Sequence, residues 1–170
     1  NVVKTVTHEE VSSEDLGGAS VHSVKSGVTH FSCANEIECI KNIKKLLSYI
    51  PQNFEEESPQ YAFDGSVNDL VAGLNGIVPE NPNQPYDMRE VITNVVDKNT
   101  FMEVHKGYAE NIVVGFGLLA GKSIGIVANQ PSCIAGVLDI NSSKKGARFV
   151  RFCDAFNIPL LVFEDVPGFL

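Results

Sequence analysis

The feature that most restricts the fold is a pair of apolar runs separated by one helical segment near the end of the chain. Ile124-Gly-Ile-Val-Ala-Asn-Gln-Pro131 and Leu160-Leu-Val-Phe163 have the composition of strands buried on both faces. Between them, Asn141-Ser142-Ser143 reads as a polar helix start and Lys144 to Asn157 as a basic, aromatic helix. A strand, a helix and a strand of this kind form a βαβ unit, with parallel strands and a right-handed crossover. Ligands of such sheets collect outside the carboxyl ends of the strands. Here that end is Glu164-Asp165-Val166-Pro167-Gly168-Phe169, the first place to expect a site.

Upstream, Val2 to Thr7 is β-branched and predicts a strand. Thr7-His8-Glu9-Glu10 has capping-box spacing and predicts a short helix ending by Gly17-Gly18. Leu16 to Phe31 is punctuated by Gly17, Gly18 and Ser26-Gly27, where a backbone either approaches a ligand or simply turns tightly. From Asn35, the residues Ile37, Ile40, Ile43, Leu46, Leu47 and Ile50 recur at steps of three and four. That period predicts an amphipathic core helix, ended by Pro51. Residues 51–85 hold five of the chain's eight prolines and the acid run Glu55-Glu56-Glu57. They predict an extended linker between two globular parts, pinned to a surface by the apolar patch Leu70 to Val78. Asp87 with Glu90 predicts a capping box opening a helix with the stripe Met88, Val91, Ile92, Val95 and Val96. Phe101 to Val104 predicts a strand, and residues 111–129 a hairpin turning at Gly121-Lys122.

Chemistry-bearing side chains are few. Gly115-Phe-Gly117-Leu-Leu-Ala120 matches a dinucleotide pattern with Asp139 downstream, but its glycines lead into another β-rich run instead of a helix. A small-residue strand, with something bulky packed over it, fits better. Asp139, Glu164 and Asp165 are the acids nearest the strand ends; no further ligands stand at metal-site spacing, so no metal is expected. His8, His22, His30 and His105 show neither a metalloprotease nor a serine-partner arrangement. Lys144, Lys145, Arg148 and Arg151 form a basic stripe, facing solvent or an interface, or else a phosphate. Phe149, Phe152 and Phe156 with Ala147 and Val150 predict a helix buried on two sides. Cys33, Cys39, Cys133 and Cys153 lack C-x-x-C spacing and read as reduced thiols of an intracellular protein. A net charge of −8 argues against nucleic acid, and no apolar stretch approaches the roughly 20 residues of a membrane span. No initiator Met or leader opens the chain, and both ends read as cuts.

Several of these stretches together resemble one family. Ile140 to Pro159 followed by Asp165-Val-Pro-Gly-Phe-Leu170 is similar to the carboxyltransferase β subunits of biotin-dependent acyl-CoA carboxylases, nearest their propionyl-CoA branch. Gly125 to Pro131, Tyr108 to Phe116, and Leu16-Gly-Gly-Ala with His22, Ser26-Gly-Val and His30 follow the same family order. The likeness covers the whole chain and is loosest over 52–66.

The resemblance implies an α/β crotonase (ClpP/crotonase-like) fold in two domains. Residues 1–50 would end the acyl-CoA-binding N domain, 51–85 would be the interdomain linker, and 86–170 would start the biotin-binding C domain. It implies CO2 transfer from carboxybiotin, carried on a biotin carboxylase α subunit, to the α carbon of propionyl-CoA. The enolate and biotin oxygens would be stabilised by backbone N–H groups at glycine-rich turns. The family's two principal oxyanion-hole motifs fall outside these 170 residues, so this stretch alone is expected to be inactive. What remains is Pro167, Gly168 and Phe169 near biotin, and Gly17, Gly18, Ser26 and Gly27 near acyl-CoA. The resemblance further implies a homo-oligomer of β subunits, a hexamer, in the mitochondrial matrix of a eukaryote or the cytoplasm of a bacterium. Its alternatives are the carboxyltransferase of a sodium-pumping acyl-CoA decarboxylase and a non-catalytic acyl-CoA-binding paralogue.

Overall fold

The computed structural model describes residues 2–170. Its centre is a four-stranded sheet of order β1-β2-β3-β4, made of Met102–Val104, Ile112–Leu119, Lys122–Asn129 and Leu160–Phe163. The first three strands are antiparallel and β4 runs parallel to β3, with Gly125 opposite Leu160. The hairpin and the βαβ unit therefore stand as the residue pattern predicts. The glycine pattern at Gly115 and Gly117 lies within strand β2 and opens no helix.

Alternation along β2 and β3 sends side chains to two cores. Ile112, Val114 and Phe116 meet Phe149 and Cys153 on one face; Val113, Ile124, Ile126 and Ala128 meet Met88, Ile92 and Val96 on the other. The first face is covered by helix α5 (Ile140–Ala155), the second by helix α4 (Met88–Val95). Gly125 lets α5 lie close to the sheet: a Cβ there would sit 2.6 Å from Cys153 Sγ. Helix α5 begins four residues before Lys144. Asp139 accepts from Ser142 N at 2.8 Å while the Ser142 hydroxyl meets Asp139 N at 2.7 Å, closing a reciprocal cap. Within this chain it is buried on one side, against the sheet. Ser142, Lys145, Gly146, Phe149 and Cys153 face inward, while Ala147 and Val150 remain exposed because no second layer covers them. Asp87 caps α4 by accepting from Arg89 N at 2.9 Å, without a reciprocal role for Glu90.

The first 85 residues depart further from expectation. Val2–Thr7 is a helix, α1, and not a strand. β-branched residues favour strands by packing across a pleated pair, and among the described residues no strand lies beside this segment. Helical bonds close locally, and Thr7 Oγ1 adds one to Val3 O at 2.9 Å. The helix start expected at Thr7 falls at Ser12, whose hydroxyl accepts from Asp15 N at 3.0 Å to cap helix α2 (Ser13–Gly17). Helix α3 (Glu36–Leu47) forms from its Asn35 cap as predicted. Within these 170 residues its stripe is uncovered: Ile37, Ile40, Ile43 and Leu47 are all more than half exposed. Leu46 and, just past the helix end, Tyr49 and Ile50 pack against the first core.

Residues 51–85 are extended in only part of their length. Ser123 N donates to Pro59 O at 2.8 Å and Tyr61 N to Gly121 O at 2.9 Å, so residues 59–61 run beside the β2–β3 turn. Asn157 Nδ2 donates to Phe54 O at 2.6 Å, tying the same stretch to the end of α5. The apolar patch holds by Leu74 and Ile77 alone, both half-buried. Leu70 is 98% exposed, since it faces no apolar wall.

Candidate functional site

Two regions carry the expected site residues. The first is the segment from Leu16 to Phe31, which folds onto the turn between β1 and β2. His22 Nδ1 and Ser26 Oγ stand 3.2 Å apart, and a Cβ on Gly17 would lie 3.6 Å from His22 Nε2, so Gly17, His22 and Ser26 cluster. Gly18 sits beside the Glu14 carboxylate. Gly27 has φ +63° and lies under the Tyr108 ring, where a Cβ would fall 2.7 Å from two ring carbons. Glycine alone combines that backbone conformation with that contact. Main-chain bonding continues the junction: His105 N donates to His30 O at 3.0 Å.

At this junction the His30 and His105 rings lie 4.2 Å apart, tilted by 36°. His105 is 6% exposed and its Nε2 has no hydrogen-bond partner among the described residues. Burial, then His30, Lys145 and Arg148, lower its pKa to about 4; burial and Arg148 lower that of His30. An imidazole so weakly basic is a poor proton acceptor at neutral pH. The two rings border a cavity of about 670 Å³, with Arg148 and Arg151 at its polar end and Phe116, Phe149 and Phe152 along its wall. The volume falls in the range of small-molecule pockets.

The second region is the carboxyl end of β3 and β4. Asn129 and Gln130 are buried there and organise the backbone around them. Asp165 N donates to Asn129 Oδ1 at 3.2 Å, and Asn129 Nδ2 to Gly136 O at 3.2 Å. Gln130 accepts from Met88 N at 3.0 Å and donates to Asp87 at 2.6 Å. Burial opposes ionisation of Asp87, but the bonds from Gln130 and Arg89 outweigh it and keep the carboxylate below its usual range. Pro167, Gly168 and Phe169 leave this end as an extended edge. Leu138 N donates to Gly168 O at 3.1 Å and Leu170 N to Leu138 O at 2.9 Å. The space over Gly168 is open, with nothing within 4 Å of where a Cβ would stand, and Phe169 is exposed beside it.

Two of the three carboxylates near the strand ends are occupied with structure, while Glu164 is exposed. Asp139 is the α5 cap, and hydrogen bonds from Ser142 N and the Ser142 hydroxyl lower its pKa. Asp165 accepts from the Tyr86 hydroxyl at 2.7 Å. Burial, then that bond, raise the Tyr86 pKa to about 12. Among the described residues no three His, Cys, Asp or Glu side chains gather as a metal site. The expected basic stripe divides. Arg148 and Arg151 reach the cavity, while Lys145 is buried at 3% exposure under the β1–β2 turn. Sequence reading missed this burial, although Lys145 shares a helix face with Phe149 and Cys153 at steps of four. The buried amides of Asn129 and Gln130 carried no comparable signal, since strand-end amides are ordinarily solvated.

The strand ends of this mixed α/β layer are lined by backbone and buried amides, with Asp139 committed to a helix cap and Asp165 to Tyr86. The chain belongs to the carboxyl transferase domain family, which matches residues 1–170. A propionyl-CoA carboxylase beta chain of Saccharopolyspora erythraea is 52% identical over 178 residues, spanning all of this chain and 33% of its own length. A methylmalonyl-CoA decarboxylase subunit alpha of Veillonella parvula is 50% identical over 99% of this chain and 33% of its own. The solved structure of transcarboxylase 12S, a hexamer assembly with methylmalonyl-coenzyme A and methylmalonic acid bound, matches with a TM-score of 0.94. It is 47% identical, over 99% of this chain and 32% of that one. The fold is therefore the crotonase type of these carboxyltransferases. The chain spans about a third of the length of the relatives it matches.

Proposed function

We propose that the chain is part of the carboxyltransferase component of a biotin-dependent propionyl-CoA carboxylase, moving CO2 to the α carbon of propionyl-CoA to give methylmalonyl-CoA. The observation that carries the reading is 52% identity to a propionyl-CoA carboxylase beta chain along the entire chain. Residues 1–50 end the acyl-CoA half, 51–85 connect, and 86–170 begin the biotin half. The connection is anchored at Pro59 and Tyr61 by the hydrogen bonds described above.

In this reading Gly17, Gly18, Ser26 and Gly27 shape the acyl-CoA side, with Tyr108 packed over Gly27 holding the loop. Pro167, Gly168 and Phe169 form the biotin side. The side-chain-free Gly168 backbone and the exposed Phe169, an apolar neighbour, are compatible with a flat ureido ring. Bound carboxybiotin supplies the CO2 and the base for the α-proton. This chain binds and orients; backbone N–H groups, not side-chain acids, oppose the charge that develops on substrate oxygen. The partner is a biotin-carrying biotin carboxylase α subunit, and the assembly a hexamer of β subunits. The compartment is the cytoplasm in a bacterial source and the mitochondrial matrix in a eukaryotic one.

The test uses the full-length protein with its biotin-carrying partner, ATP, labelled bicarbonate and propionyl-CoA. Methylmalonyl-CoA is the product expected; faster labelling of acetyl-CoA or methylcrotonyl-CoA overturns the substrate assignment. A second reading, the decarboxylating direction, is favoured by the 50% identity to a methylmalonyl-CoA decarboxylase subunit. Sodium-dependent CO2 release from methylmalonyl-CoA, without ATP-dependent fixation, would select it.

A further inference from the structure

Lys145 Nζ donates to three main-chain carbonyls of one turn: Tyr108 O at 2.7 Å, Ile112 O at 2.8 Å and Ala109 O at 3.3 Å. An ammonium has three N–H donors, whereas a neutral amine has two and a lone pair facing the third acceptor. The geometry is therefore that of the charged form. The turn it holds is unusual, with His105 and Ala109 both at positive φ. Such a conformation persists only where its surroundings impose it.

The same turn is the floor beneath the segment 16–31. Tyr108 covers Gly27, Gly107 approaches Val24 and Ser23 O, and His105 N bonds His30 O. We propose that Lys145 is a positioning residue for the acyl-CoA side, its ammonium fixing the 105–112 turn on which that segment rests. The inference depends on the acyl-CoA reading of Gly17, Gly18, Ser26 and Gly27.

Burial lowers the Lys145 pKa to about 8, with Arg89 acting in the same direction and Glu103, Glu110 and Cys133 against it. Loss of the proton in mildly alkaline solution opens one of the three bonds. The acyl-CoA KM of the holoenzyme then rises between about pH 7 and 9 while kcat changes less. Lys145→Met, assayed as full-length protein with its partner, shows at pH 7 a KM at least five-fold above wild type and no further alkaline rise. Hydrogen exchange in peptides covering 105–112, corrected for the intrinsic pH effect, is faster in the variant and in wild type at pH 9. Wild-type exchange is independent of activity and needs no variant to fold. Unchanged exchange between pH 7 and 9 overturns the positioning role. Pronounced exchange changes in a protein with no carboxyltransferase activity leave the hold of Lys145 on the turn standing and overturn the proposed function, and with it the acyl-CoA role. A Lys145→Met loss confined to kcat also overturns the proposal.

Discussion

Helices α3 and α4 have the same sequence grammar and opposite surroundings. Each starts at a capped Asx residue, and each repeats apolar residues every three or four positions. α4 buries Met88 and Ile92 against β2 and β3, whereas within these 170 residues α3 leaves Ile37, Ile40, Ile43 and Leu47 uncovered. Local bonds and caps are enough to make the helix in both cases. Burial needs a partner of matching shape, and within these 170 residues the two faces of the sheet are taken by α4 and α5. An apolar stripe is thus a statement about a helix's capacity to bury surface, and its environment decides whether that capacity is used.

The strongest way to break the contrast is to truncate the better-buried member. Ile92→Ala is expected to cost about 2–5 kcal/mol in urea unfolding, as for other filled core sites; a cost below about 1 kcal/mol would mean the second core is loosely packed. Next comes acid. His105 is neutral in the folded protein, with a pKa of about 4 against 6.5 unfolded. Its contribution is fully present above about pH 6.5 and is lost as pH falls toward 4, by at most on the order of 3 kcal/mol. The stability difference between wild type and His105→Asn should therefore narrow across that window, and a constant difference would refute the buried neutral imidazole.

Gly27→Ala is expected to cost about 1–3 kcal/mol, combining a left-handed backbone with displacement of the Tyr108 ring. Thermal melts that match wild type would show that the junction yields. Asp97 accepts from Ala120 N at 3.0 Å and Gly121 N at 2.8 Å, so Asp97→Ala should cost about 1–2 kcal/mol through the hairpin turn. The smallest effect belongs to α3. Ile40→Ala in the 170-residue chain should change stability by less than about 0.5 kcal/mol, and a core-sized loss would place Ile40 in a packed environment after all.

The legible part of the molecule was the part with short-range rules. The hairpin at Gly121, the parallel return at Leu160 and the caps at Asn35 and Asp87 each follow from neighbours within a few residues. Val2–Thr7 failed because strand propensity presupposes a neighbouring strand. At the candidate site the glycines could be seen as hinges of close approach, but what approaches could not. Tyr108 over Gly27 and Cys153 over Gly125 join residues far apart in the chain.

By itself, then, the sequence determined the starts of α3 and α4, the hairpin, the βαβ unit, the scarcity of catalytic side chains and the family likeness. Those properties rest on local bonding and residue pattern. Only the tertiary structure decided that Lys145 is buried among three carbonyls, that Asp139 and Asp165 are held by Ser142 and Tyr86, and that α3 stays uncovered. A charged side chain reads the same in sequence whether it meets water or a cage of carbonyl oxygens. The difference is set by desolvation and by partners that the fold alone brings within reach.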